Sequence, residues 1–133
     1  MINSFKELVD IAKKLRGPEG CPWDKSLSLS DVPKHLQEEL DEVMEAIEKN
    51  DYENLREELG DVLFNLILMC VMAEEAGHFK MKDVLDEIQT KIVNRHTWVF
   101  GDDKADTPEE ALAIWKKNKE KEKQAKKEKQ SKQ

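Results

Sequence analysis

Between Leu36 and Leu66 the apolar and acidic positions recur with a helical period, and they do so twice. The segments LQEELDEVMEAI (36–47) and LREELGDVLFNL (55–66) align at an offset of 19 residues, pairing Leu36 with Leu55, Glu38 with Glu57, Glu39 with Glu58, Leu40 with Leu59 and Val43 with Val62. Glu42 answers to Asp61. Wound at about 100° per residue, Leu36, Leu40, Val43, Met44 and Ile47 form one apolar arc, and Leu55, Leu59, Val62, Leu63 and Leu66 form its counterpart. Each arc predicts a core face. Glu39 and Glu42 fall at the edge of the first arc, and Glu58 and Asp61 hold the same places on the second. Residues three apart are neighbours on a helix surface, so each helix offers two adjacent carboxylates beside its apolar side.

The same periodicity places the other elements. Ser4 with Glu7 reads as a capping box for a first helix whose apolar positions are Phe5, Leu8, Val9, Ala12 and Leu15, ended by Gly17-Pro18. A loop to Ser30 holds the string Gly20-Cys21-Pro22-Trp23-Asp24. Its tryptophan is either a plug over the core or a platform for a flat ligand. Ser30 caps the second helix, with Pro33 tolerated in the first turn, and Asn50 with Glu53 caps the third. The short Lys49–Tyr52 connection makes these two helices antiparallel neighbours, so the four acids converge. Gly60, inside the third helix, costs about 1 kcal/mol relative to alanine and implies close approach of a backbone or ligand between Glu58 and Asp61. This helix stops at Gly77. A fourth helix spans about Lys82 to Trp98, with Val84, Leu85, Ile88 and Ile92 inward, and Thr107-Pro108-Glu109-Glu110 opens a last one carrying Leu112, Ile114 and Trp115. The prediction is an all-α antiparallel bundle of about five helices: a single domain over 1–115, and a tail over 116–133 that is frayed helix or disordered.

Charge and cysteine usage narrow the function classes. The chain of 133 residues carries a net charge of −7, but the tail is rich in lysine and carries +6, so the body is strongly acidic. An acidic body, with no aromatic residue interleaved among the tail lysines, argues against direct nucleic-acid binding. The longest apolar run, Val62 to Ala73, is broken by Asn65 and too short to span a bilayer. Two cysteines, Cys21 and Cys70, and no apolar leader point to a cytoplasmic, reducing setting.

Four converging carboxylates in partly dry surroundings take up protons unless a cation neutralises them. Oxygen-only ligands suit Mg²⁺ or Mn²⁺, so Glu39, Glu42, Glu58 and Asp61 are the candidate metal ligands. Glu38, Asp41, Glu45 and Glu57 fall on the outer, solvated side. Lys91 and Arg95, four apart on one face, are either solvated charges or a clamp for phosphate oxygens, and beside an acidic metal site they complete a polyphosphate grip. Glu75-Ala76-Gly77-His78 spells the Glu-x-x-His of di-iron bundles, but it occurs once and across a glycine stop, so it is set aside. His96 is read as structural.

Taken in order, Gly20-Cys21-Pro22-Trp23-Asp24, Glu38-Glu39-x-x-Glu42, Glu58-Leu59-Gly60-Asp61, Lys91 to Arg95-His96 and Val99-Phe100-Gly101-Asp102 closely resemble the MazG family of nucleoside triphosphate pyrophosphohydrolases, over nearly all of residues 5–115. The resemblance implies hydrolysis of an NTP or dNTP to the monophosphate and pyrophosphate, with Mg²⁺ on Glu39, Glu42, Glu58 and Asp61 and phosphate contacts from Lys91 and Arg95. It also implies that Trp115 contacts the nucleotide, offers Trp23 as a base contact, and implies a homodimer. The chain departs from the family pattern at Lys25-Ser26-Leu27-Ser28, where Gln-Thr is usual, and at Thr97-Trp98, where Pro-His is common.

Overall fold

A computed structural model describes residues 1–131. Its helices are α1 (Ile2–Leu15), α2 (Pro22–Ser26), α3 (Val32–Glu48), α4 (Tyr52–Glu75), α5 (Met81–Arg95), α6 (Thr97–Phe100) and α7 (Pro108–Ser131), and no strand occurs among the described residues. The all-α expectation holds, with two short helices added to the five expected. Pro22 pre-sets the backbone for the first turn of α2. His96, at φ −105° and ψ 56°, leaves helical geometry and separates α6 from α5, so the fourth helix ends before Trp98.

Several helix starts differ from the sequence reading. α1 begins at Ile2 with no side-chain cap, so Ser4 and Glu7 lie inside it. Asp31, not Ser30, precedes α3, and its carboxylate turns back to accept from the Ser28 N–H at 2.8 Å and the Ser28 hydroxyl at 3.0 Å. Asp51, not Asn50, caps α4, accepting from the Asn54 N–H at 3.2 Å. Asn50 instead makes the turn: at φ 54° it occupies the left-handed region that asparagine tolerates better than most residues. The start of α7 matches its signature. The Thr107 hydroxyl accepts from the Glu110 N–H, and the Glu110 carboxylate reaches back to the Asp106 N–H.

The chain divides into two compact units, Met1–Val84 and Leu85–Gln133. In the first, α3 and α1 both pack on α4. Ala12, Ile67 and Val71 form one buried cluster with Phe5, Leu8, Val9, Phe64 and Met81 against it, and Val32, Leu68 and Met72 form another with Leu27, Phe64 and Met69. The core therefore sits on the C-terminal half of α4. The two repeat arcs are not the core faces the wheel predicted: Leu40, Met44, Ile47, Leu59, Leu63 and Leu66 are exposed, Met44 by 60%. Hydrophobic periodicity identifies an apolar side but not what covers it, and α1 with the α2 loop covers the other side of α4. Gly60 also differs from expectation, since a Cβ there would meet nothing within 4 Å.

In the second unit α6 packs on α7. Leu85, Ile88 and Ile92, expected inward, are exposed. The lysine-rich stretch continues as α7 through Ser131, while Lys132 and Gln133, the end of the proposed tail, lie outside the described residues. Among the described residues no helix is long and apolar enough to cross a membrane.

Candidate active site

The turn at Asn50 and Asp51 folds α3 back along α4 and sets the two acid pairs against each other. One carboxylate oxygen from each of Glu39, Glu58 and Asp61 lies within 4.8 Å of the others. Glu42 is not one of that triad but meets both Glu39 and Glu58, and with Glu58 it lines a cavity of about 240 Å³ that also touches Glu45, Lys49, Asp51 and Asn54. Glu58 is buried. Glu39 Oε2 and Glu58 Oε2 are buried with no hydrogen-bond partner. Buried acceptor atoms without donors are costly, and like charges this close resist ionisation together. Burial pushes the Glu39 carboxyl above its usual 4.5, with the charges of Asp61 and Glu42 adding to the rise. Glu58 is pushed up to about 8, first by the Glu42 carboxyl beside it and then by burial. Orphaned oxygens and unwelcome protons at one spot fit a hard divalent cation, whose charge would satisfy the first and displace the second.

Trp23 is 58% exposed, so it is not the plug over the core. Its ring meets His35 edge-on, centroids 5.8 Å apart and planes at 71°, beside a cavity of about 500 Å³ lined also by Ser26, Leu27, Ser30, Asp31, Lys34 and Glu38. His35 is four residues before Glu39 on α3, hence one turn away on the same side. The tryptophan is held in place by backbone. Gly20 is required because a Cβ there would lie 2.1 Å from the Leu15 carbonyl oxygen. Arg16 ties the loop down: Nη1 donates to the carbonyls of Asp24 and Leu27, while Nε and Nη2 grip the Glu75 carboxylate at 2.9–3.1 Å.

Lys91, Arg95 and Trp115 lie in the second unit. Lys91 is exposed on α5. Arg95 ends α5 with its guanidinium carbon 5.3 Å from the Trp115 ring centre, and Lys119 Nζ lies 5.1 Å from the same ring. Cation–π attraction of this kind keeps the indole and guanidinium together. His96 Nδ1 is 2.6 Å from the Ile92 carbonyl oxygen, and its ring lies 4.9 Å from that of Trp98.

Sequence reasoning missed three residues. His35 could have been found, since its i−4 spacing from Glu39 was in plain view. Arg16 and Glu122 could not, because their partners lie 59 and 27 residues away.

A profile of the MazG nucleotide pyrophosphohydrolase domain matches residues 28–100, which include all four acids, Lys91 and Arg95 but neither Trp23 nor Trp115. Over 115 residues the chain is 40% identical to a nucleoside triphosphate pyrophosphohydrolase of Escherichia coli strain K12, covering 86% of this chain and 44% of that protein. Over 98 residues it is 42% identical to the nucleoside triphosphate pyrophosphohydrolase/pyrophosphatase MazG of Thermotoga maritima, covering 74% of this chain and 38% of that one. It thus spans less than half the length of these curated relatives. The crystal structure of a mazG-related protein from Thermotoga maritima superposes with a TM-score of 0.74 at 32% identity, covering 86% of this chain and 98% of the other.

Proposed function

Since the chain belongs to the MazG nucleotide pyrophosphohydrolase family, we propose that it hydrolyses a nucleoside triphosphate, NTP or dNTP, to the monophosphate and pyrophosphate. The observation that supports this reading is the convergence of Glu39, Glu58 and Asp61 oxygens within 4.8 Å, two of these acids holding a buried oxygen without a donor. Glu39, Glu42, Glu58 and Asp61 would hold Mg²⁺, with Mn²⁺ as a substitute. When bound, the ion neutralises polyphosphate charge and makes a coordinated water acidic enough to attack phosphorus.

The chain's own groups supply the rest. The acids sit on the helices of one hairpin, so they are positioned before substrate arrives, and preorganised charge is worth more than charge that must be assembled. Lys91 and Arg95 would contact phosphate oxygens, Arg95 through the planar fork that matches them two at a time. Trp115 would contact the nucleotide. Trp23 presents an exposed indole on which a base can stack, and His35 beside it restricts how a base can enter. The exposed face formed by Leu40, Met44, Ile47, Leu59, Leu63 and Leu66 supports a homodimer, since a second copy offers the same apolar face in return. The two free cysteines suit a reducing cytoplasm, and the acidic body suits a small-molecule substrate rather than nucleic acid.

The test is pyrophosphate release from a panel of NTPs, dNTPs and modified nucleotides with Mg²⁺, Mn²⁺ or EDTA. Metal-dependent release with the monophosphate as co-product is the expected outcome. A folded protein that releases pyrophosphate from none of them overturns the assignment.

A further inference from the structure

We propose that Glu122, in the lysine-rich part of α7, is a positioning residue that holds the Arg95 guanidinium ready for substrate phosphate; this rests on the reading above, in which Arg95 contacts the polyphosphate. Arg95 Nε donates to Glu122 Oε2 at 3.0 Å, and Nη2 lies 2.9 Å from the same oxygen as an ion pair. Both side chains are largely sheltered, 15% and 27% exposed. Glu122 Oε2 therefore takes the Nε/Nη2 edge of the guanidinium. Nη1 has no hydrogen-bond partner among the described residues, and the Nη1/Nη2 end of a guanidinium presents parallel N–H groups to two oxygens of an anion.

Four further contacts fix the arrangement. The guanidinium lies over Trp115, Lys119 lies over the same ring, and Asn118 Nδ2 donates to the Arg95 carbonyl at 3.1 Å and to the Thr97 hydroxyl at 2.9 Å. All these α7 residues fall within two turns. An arginine otherwise samples many rotamers, and binding an anion must freeze them. Here the freezing is done by the fold. Glu122 Oε1 is buried with no hydrogen-bond partner, so half of this carboxylate is left unsatisfied by the fold while the other half orients the arginine. A net-positive helix thus keeps an acid where α5 ends.

A carboxylate beside a phosphate site also repels phosphate, so the sign of the effect decides between orienting and blocking. Magnesium tripolyphosphate, which carries the phosphate chain without base or sugar, is the probe, and titration calorimetry on the full chain measures its binding. Glu122→Ala should weaken binding about two- to tenfold, the cost of immobilising one rotamer-rich side chain. Glu122→Gln, whose carbonyl still accepts from Arg95, should lose less and guards against misfolding in the alanine variant. In an Arg95→Ala background the Glu122→Ala change should have no further effect. In turnover KM should rise with kcat held.

Unchanged or tighter binding by Glu122→Ala, with Arg95→Ala impaired, overturns the positioning role. So does an equal loss in both backgrounds, which would mark Glu122 as a support for α7 alone. If Arg95→Ala binds as the wild type does, Arg95 is not in the polyphosphate site, and the parent assignment fails with the proposal.

Discussion

Metal binding at the α3–α4 hairpin should release protons, and the size of the release follows from Glu58. Its carboxyl is raised from the usual 4.5 to about 8 by Glu42 and by burial. At pH 7 about nine molecules in ten then carry the proton, so each Mg²⁺ bound should release about 0.9 of a proton. Between pH 8 and pH 6 the apparent affinity should fall roughly fiftyfold, because the ion displaces a proton held ever more firmly. Glu39, also raised, carries the decline further toward acid. Calorimetric titration in buffers of different ionisation enthalpy reads the proton count directly. Stability runs the other way. A carboxyl whose folded value exceeds its unfolded one favours folding while both states are protonated, below about 4.5, and that contribution is lost as pH rises through about 8. In EDTA the melting temperature should therefore decline across that interval, and Mg²⁺ should restore it most at the alkaline end. Metal binding with no proton release and a flat pH dependence would refute the argument that Glu58 holds a proton in place of the ion.

Three substitutions separate the remaining roles. Glu58→Gln removes a proposed metal ligand with little change of shape; turnover should drop by more than the ~10–100-fold that outer-shell changes already cause at metal sites, while melting in EDTA at pH 8 stays level or rises. Wild-type turnover in this variant would exclude Glu58 from the site. Arg16→Ala breaks the tie to Asp24, Leu27 and Glu75 and should destabilise by about 1–3 kcal/mol, since it removes the side-chain donor from the Leu27 carbonyl and one of two donors from the Asp24 carbonyl; chemical denaturation measures this, and a change below that range would show the loop holds itself. Trp23→Ala should raise KM for nucleotides by the equivalent of about 1–3 kcal/mol, the worth of one stacked base, yet leave tripolyphosphate binding alone. A loss shared by both ligands would mean that Trp23 supports the fold and not the base.

The part of the site legible in the sequence is the part built on helical periodicity. Glu39, Glu58 and Asp61 could be placed together because spacing fixes a side chain's angle on its helix, and a short Lys49–Tyr52 connection fixes the next helix as an antiparallel neighbour. Glu42 lies against both Glu39 and Glu58 without joining the tight triad of oxygens, a difference of one side chain's placement that a wheel does not resolve. The caps failed where two candidates stood next to each other, as at Asn50 and Asp51, because the choice depends on which residue takes the left-handed turn. The exposed arc on α3 and α4 failed for a different reason: an apolar stripe reads alike whether its cover is the same chain or another. Arg16 and Glu122 gave no signal at all, being isolated charges whose partners are set by tertiary structure.

That exposed arc bears on the acids themselves. Leu59 follows Glu58 directly, and Leu63 lies two residues beyond Asp61, so whatever covers this face also dries the edge of the acidic cluster. A drier surrounding strengthens both the repulsion among carboxylates and their attraction for a cation. In the proposed homodimer, assembly and metal binding should therefore favour each other, and by linkage the effect is reciprocal: Mg²⁺ tightens the dimer as much as dimerisation tightens Mg²⁺. Leu63→Glu tests this, because the position is exposed in the single chain and a charge there opposes only burial by a partner. Light scattering should show the wild type at twice the chain mass and the variant as a folded monomer, with weaker Mg²⁺ binding although all four acids are retained. A monomeric variant that binds Mg²⁺ as tightly as the wild type would separate the two, leaving the hairpin sufficient as a metal site on its own.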